Sequence, residues 1–216
     1  RFTREDVIIA LGGGVVGDLA GFTAATYQRG ITYIQVPTTL LSMMDSSVGG
    51  KTAVDLDHGK NQAGCFHQPA MVLCDPALLS TLPEREYRCG CAEIIKTAML
   101  FDAGFFRELR QTPVRGQLEH VLSVCVAAKR DVVQSDEFDR GQRALLNFGH
   151  TVGHAVEACR DFTISHGEGV AIGMAVVTRA AVNRGICPPE TLTALLDLLE
   201  QYKLPTEATE SLADIL

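Results

Sequence analysis

The strongest chemical pattern in the sequence is Arg143, Asn147, His150 and His154, spaced i, i+4, i+7 and i+11. On a helix that spacing lines up all four on one face, with Leu145, Leu146, Val152 and Val156 pointing elsewhere. Two imidazoles four residues apart can share a cation, and an arginine beside an amide can grip an anionic ligand. A solvated helix face would show the same spacing, so the pattern needs support from its neighbours. Gly149, inside the stripe, weakens its helical reading. His166 opens the run His166-Gly167-Glu168 at the predicted start of another helix, and Glu93 lies one helical turn before Lys96. One carboxylate with two imidazoles is a donor set for zinc, and three protein ligands leave coordination positions for water or substrate. Spacing leaves open whether His150 pairs with His154 or with His166.

Glycines and lysines form the other clusters. Gly12-Gly13-Gly14-Val15-Val16-Gly17-Asp18 follows a predicted strand and opens a predicted helix, where glycines let backbone N–H groups approach a pyrophosphate. The acid that usually takes the ribose is missing, because the next strand ends in Pro37-Thr38-Thr39. The run is a nucleotide loop of another kind or a bare glycine turn. Asp45 to Thr52 and Gly59-Lys60-Asn61 set Lys51 and Lys60 among small residues, but without the upstream glycine of a P-loop, so both lysines could simply be solvated in turns. Lys129 falls on the apolar stripe Leu118, Leu122, Cys125, Val132; it either snorkels to water or is held in a cleft against an anion.

The elements that must position these groups change character along the chain. Apolar runs at residues 7–11, 31–36 and 70–74, separated by helical spacing, predict a parallel sheet. After Pro83 no strand is predicted. Leu192, Leu195, Leu196 and Leu199 make one core stripe, and Val170, Met174, Val177 and Ala181 another in a helix stopped by Gly185. The reading is an α/β part over residues 1–82, followed by an all-α part over 83–216, with ligands in the cleft between.

A chain of 216 residues, 46% hydrophobic, can bury a real core, and a net charge of −7 argues against a nucleic-acid or anionic-membrane surface. Seven cysteines without a C-x-x-C pair fit a reduced, cytoplasmic setting. No run approaches the length of a membrane span. The start, Arg1 to Asp6, and the end, Leu212 to Leu216, which stops inside an amphipathic pattern, give the expectation of a chain cut at both edges.

Taken in order, LGGGVVGDLAGFTAATYQRG, VPTTLLSMMDSSVGGKTAV, GKNQAGCFHQP, STLPEREYRCGCAEIIKT, RALLNFGHTVGHAVE and HGEGVAIGM resemble the 3-dehydroquinate synthase family of sugar-phosphate cyclases over essentially the whole chain. The resemblance implies a partial Rossmann-like nucleotide domain followed by a helical metal- and substrate-binding domain. It implies zinc, with cobalt as an alternative, on Glu93, His150 and His166, leaving His154 to the substrate phosphate. NAD would be contacted by Gly14, Val15, Val16, Gly17, Asp18, Thr38, Thr39, Lys51, Lys60, Leu78, Leu79, Ser80 and Thr81. A sugar-phosphate substrate would be gripped by Asp45, Lys51, Asn61, Lys96, Lys129, Arg143, Asn147 and His154, with Arg29 reaching in from the second subunit of a homodimer.

Gly169 departs from the family, which usually has Ala after His-Gly-Glu, and the family's first half of the nucleotide domain and a late phosphate-contacting lysine are not in the sequence. The implied activity is a phosphate-eliminating carbon–oxygen lyase. The alternatives are a sibling cyclase with altered substrate-gripping residues, a zinc polyol dehydrogenase with net NAD reduction, and an inactive binding remnant.

Overall fold

A computed structural model of the protein describes residues 2–57 and 59–209; Arg1 and the amphipathic end at 212–216 lie outside the described residues. The runs at 7–11 and 31–36 form β1 (Val7–Gly12) and β2 (Thr32–Pro37), joined by helix α1 (Gly14–Thr26). They pair in parallel from Val7 opposite Thr32 to Gly12 opposite Pro37. A third parallel strand lies on the other side of β2, giving the order β1-β2-β5. That strand, β5 (Met71–Val72), is shorter than the predicted 70–74, because Asp75 turns the chain by accepting from Ala77 N and starts a 3-10 helix at Pro76–Thr81. The outer face of this sheet is apolar and open: Val7, Ile9, Leu11, Met71 and Leu73 are all exposed.

Between β2 and β5 the chain makes an antiparallel hairpin that the sequence reading missed, β3 (Lys51–Leu56) and β4 (Gly59–Phe66), with Lys51 opposite Phe66 and Val54 opposite Ala63. Its buried Thr52 lies against α1, where a Cβ at Gly21 would collide with the Thr52 methyl. The two lysines therefore stand on strands rather than in solvated turns.

Beyond Pro83 the described residues contain helices and no strand. Helix α2 (Glu84–Phe101) is the centre of this half, buried continuously from Cys89 to Ala98. Glu84 and Glu86 in its first turn complement the helix dipole. Asp102 ends it and caps α3 (Ala103–Gln111), accepting from the N–H groups of Gly104 and Phe105. Around α2 pack α4 (Leu118–Ser135), α6 (His166–Asn183) and α7 (Pro189–Gln201). One core cluster unites them and takes in Leu40, Met43, Met44 and Leu79 from the preceding half; a smaller one gathers Ala24, Ile31 and Tyr33 beside the sheet.

On α7, Leu195 and Leu199 are fully buried, with Leu192 and Leu196 partly so. The expected α6 stripe is corrected at Val177, which is exposed: the buried row steps in fours through Val170, Met174 and Thr178.

The one-face reading of Arg143 to His154 is also corrected. Arg143 and Asn147 belong to a 3-10 turn (Gln142–Asn147), and α5 (His150–Cys159) begins only after Gly149, whose φ is +81°. A Cβ at Gly149 would meet the Met174 N and Val170 O atoms of α6 at 2.8 and 2.9 Å, so close backbone approach demands glycine there and breaks the helix.

Candidate functional site

Helices α5 and α6 cross at small residues. A Cβ at Gly153 would lie 2.8 Å from the Gly169 carbonyl carbon, and one at Gly173 would overlap the Gly149 carbonyl oxygen. Contact this close brings His150 and His154 of α5 against His166 at the first turn of α6, with ring centroids 5.1 and 5.7 Å from that of His166. A capping box fixes this first turn: Ser165 accepts from Glu168 N, and Glu168 accepts from Ser165 N at 2.7 Å.

Beneath the rings lies Glu93 of α2, fully buried. Its Oε1 faces His166 Nε2 at 3.3 Å and His150 Nε2 at 3.5 Å, while Lys96 Nζ is 2.5 Å from Oε2. Neither imidazole makes an aligned hydrogen bond with Oε1, which is left without a hydrogen-bonding partner in the interior. An orphaned carboxylate oxygen facing two Nε2 atoms is what a divalent cation would satisfy. The far ring nitrogens are held as a metal site requires: His150 Nδ1 is 3.3 Å from Phe148 O and His166 Nδ1 is 3.1 Å from Glu157 Oε1. A second trio, His154, Glu157 and His166, is equally close and shares His166.

Electrostatics separates the two imidazoles. Burial pushes His150 down to about 4, against the pull of Glu93. Burial would lower His166 too, but the bond to Glu157 and the negative charges of Glu93 and Glu157 outweigh it and raise it to about 9. Burial alone would raise Glu157, yet its bonds to His166 and Lys60 hold it at about 2. Glu93 likewise sits below the usual carboxylate range, because Lys96 and the two imidazoles overcome the burial effect.

His154, Glu157 and His166 close one side of an 830 Å³ cavity. Its other walls are Gly14, Val15 and Asp18 at the start of α1, Asp45 and Ser46, and Lys60 and Asn61 of the hairpin. Asp18 is raised to about 6, chiefly by burial. A smaller cleft of 360 Å³ over the hairpin shares Asp18 and Asn61 and adds Lys51. Thr38 and Thr39 follow β2 at the same sheet end as the glycine turn: Thr38 N donates to Gly12 O, and a Cβ at Gly13 would lie 3.0 Å from the Thr39 methyl.

The predicted cations Lys51, Lys60, Lys96, Lys129 and Arg143 each have an anionic or carbonyl partner. Lys129 is held against Asp45, contacting its carboxylate and bonding its carbonyl at 2.6 Å, so the cleft alternative holds over snorkelling. Burial lowers Lys129, with Asp45 opposing; Asp45 is lowered, since Lys129 outweighs its own burial. Arg143, buried, donates to Gly49 O at 3.0 Å and Glu137 O at 2.6 Å. Lys51 pairs with Asp139 at 2.5 Å, Lys60 with Glu157 at 3.0 Å, and Lys96 also donates to Leu146 O.

Of the predicted residues, Val16, Gly17, Thr38, Thr39, Glu93, Lys96, Lys129, Arg143 and His150 do not line the 830 Å³ cavity, and neither do three further sets. Leu78, Leu79, Ser80 and Thr81 do not line it, and Leu79 is core. Asn147 is exposed at the end of its 3-10 turn. Arg29, exposed, lies in the turn after α1 with φ +70°. Conversely, sequence reasoning missed Glu157 and Asp139. Glu157 was findable, since it continues the His150 and His154 stripe at i+7. Asp139 had no comparable signal; its loop meets the hairpin only in the fold.

The 3-dehydroquinate synthase N-terminal family model matches residues 1–89 and the C-terminal model of the same enzyme residues 90–216. A curated 3-dehydroquinate synthase of Clostridium botulinum is 49% identical over 95% of this chain, and one of Halorhodospira halophila is 50% identical over 95%. The chain spans 60% of the length of each of these relatives. A 2-epi-5-epi-valiolone synthase from Streptomyces hygroscopicus, solved with NAD+ and Zn2+, superposes with TM-score 0.89 at 33% identity, covering 96% of this chain and 60% of that one. A 2-deoxy-scyllo-inosose synthase, solved with carbaglucose-6-phosphate, NAD+ and Co2+, gives TM-score 0.91 at 30% identity, covering 99% and 60%. A glycerol dehydrogenase from Schizosaccharomyces pombe, at 18% identity and TM-score 0.59 over 97% of this chain and 61% of that one, shares the fold alone. With both family models together accounting for every residue, the chain belongs to the 3-dehydroquinate synthase family.

Proposed function

We propose that this chain carries the metal-binding and much of the substrate-binding machinery of a 3-dehydroquinate synthase. The reaction converts 3-deoxy-D-arabino-heptulosonate 7-phosphate to 3-dehydroquinate and phosphate. The observation that carries the proposal is the buried Glu93 oxygen facing the Nε2 atoms of His150 and His166 beside the 830 Å³ cavity. In this reading Glu93, His150 and His166 hold Zn2+ or Co2+, and His154 is left to the substrate phosphate.

NAD+ would lie along Gly14 to Asp18, Thr38 and Thr39 and reach Lys51 and Lys60. When bound, the cation would supply Lewis acidity and NAD+ a hydride acceptor that gives the hydride back within each turn. Lys51, Lys129, Arg143 and His154 fix the phosphate, whose own oxygen can take the adjacent proton, so no separate side-chain base is needed. Asp45 keeps the Lys129 ammonium in place until the phosphate competes for it. Asn61, Lys96 and Asn147 complete the grip on the substrate. We further propose the division at residues 82 and 83, a cytoplasmic homodimer, and Arg29 reaching the neighbouring subunit's site. No helix among the described residues is long and apolar enough to cross a membrane.

A sibling cyclase is the second reading, favoured by the two cyclases that superpose at TM-scores near 0.9. Identity of about 49% to the curated 3-dehydroquinate synthases, against 30–33% to the siblings, supports the first. The test follows phosphate release and NADH absorbance together, with the heptulosonate phosphate, catalytic NAD+ and zinc. Phosphate release without NADH accumulation, lost on chelation, is expected; net NADH from a polyol without phosphate release would make the protein a dehydrogenase.

A further inference from the structure

Glu157 is almost wholly buried, yet its two oxygens are spent on different parts of the protein. Oε1 lies 3.1 Å from His166 Nδ1, behind the nitrogen that faces Glu93, and Oε2 accepts from Lys60 Nζ at 3.0 Å, across the cavity on β4. Lys60 also lies 4.1 Å over the Phe162 ring, just beyond the end of α5, so its ammonium is held from two directions. The carboxylate arises from α5, and a Cβ at Gly169 of α6 would press on it at 3.0 Å. Its position is therefore set by both helices of the glycine seam.

We propose that Glu157 is a positioning residue that orients His166 for the cation and, through the same carboxylate, ties the cation site to Lys60 of the hairpin. A carboxylate behind a ligating imidazole fixes its tautomer and ring plane and raises its basicity, and loss of such a partner typically weakens metal binding about 10- to 100-fold. The second oxygen extends this effect: whatever moves Lys60, including a nucleotide, changes how firmly Glu157 holds His166, and the linkage acts equally in reverse. The inference rests on the proposed ligand set of Glu93, His150 and His166.

The test is Zn2+ affinity by chelator competition in the purified protein, for Glu157→Gln, Lys60→Met, the double variant and His166→Ala. Glu157→Gln is expected to weaken zinc about tenfold, and Glu157→Leu, which removes the acceptor altogether, up to about 100-fold. Removing the Lys60 charge would by simple repulsion alter zinc affinity equally in both backgrounds. If Lys60 acts through Glu157, Lys60→Met weakens zinc relative to its effect in the Glu157→Gln background, where only repulsion remains. Strictly additive effects would overturn the coupling, and wild-type affinity in both Glu157 variants would overturn the positioning role. Circular dichroism and thermal midpoints identify any variant that has not folded, and Glu157→Gln, which preserves shape, keeps the test available if Glu157→Leu fails. Stoichiometric zinc in His166→Ala would instead refute the ligand set itself, separating the two failures.

Discussion

The proposed metal end and the proposed nucleotide end of this molecule solve opposite problems. At the metal end Glu93 and Lys96 of α2 are buried and paired, and buried Glu157 pairs with His166 beside the seam where the α5 and α6 backbones touch. At the nucleotide end the glycine turn leads into a helix whose Val15, Val16 and Leu19 are exposed, beside a sheet whose outer apolar face is open. The first region has its geometry fixed before any ligand arrives. The second offers surface and backbone donors whose order depends on what covers them. A substitution at the metal end should therefore damage fold and binding together, whereas one at the nucleotide end should separate them.

The largest expected effect is at His166, the imidazole common to both carboxylate–imidazole trios. His166→Ala should remove bound metal and activity together, read by elemental analysis and phosphate release. Next, Gly173→Ala would force the α5–α6 seam apart, costing about 1–3 kcal/mol or more in urea unfolding as an overpacked contact, with metal binding lost in parallel. Its counterpart Gly14→Ala meets only the Ser46 side chain, with Oγ at 3.2 Å, so the unfolding midpoint should hardly move while NAD+ binding weakens. If both variants lost stability equally, the contrast between the ends would collapse.

A pH titration sharpens the metal end alone. His166 is held up to about 9 and so carries a proton at neutral pH that the cation must displace, whereas His150, pushed down to about 4, is already neutral. Zinc affinity should rise about tenfold per pH unit between pH 6 and 8 and level off near 9, with close to one proton released per ion in calorimetry at pH 7. A flat profile over that range would contradict the His166 environment. The smallest effect is expected at Asp139→Asn, since its partner Lys51 is half exposed: the pair is worth less than about 1 kcal/mol to stability, measurable as a slight shift in the unfolding midpoint.

The same contrast explains what the sequence made legible. β1, α1 and β2 follow from β-branched runs and a glycine turn, which are local signals. Glu93, Lys96 and His166 were visible because helix starts and i, i+3 spacings are local too. The hairpin was hidden because Gly49-Gly50-Lys51 and Gly59-Lys60-Asn61 have turn composition, and its strand character comes from pairing and from packing on α1. The stripe from Arg143 to His154 misled for a related reason: Gly149 reads as a mild helix weakener, and only its contact with α6 shows why the chain must break there. Glu157 continues the His150 and His154 face, but its partner Lys60 comes from the other half of the chain, a pairing no local spacing announces.

The glycine seam works as a caliper. The separation of His150 and His166 is set by two backbones in contact, with no intervening side chain that could change rotamer or be traded for another of similar size. The outer surfaces of α5 and α6 are thus free to vary widely in sequence without retuning the metal site, while a single added methyl group inside the seam resets its jaws.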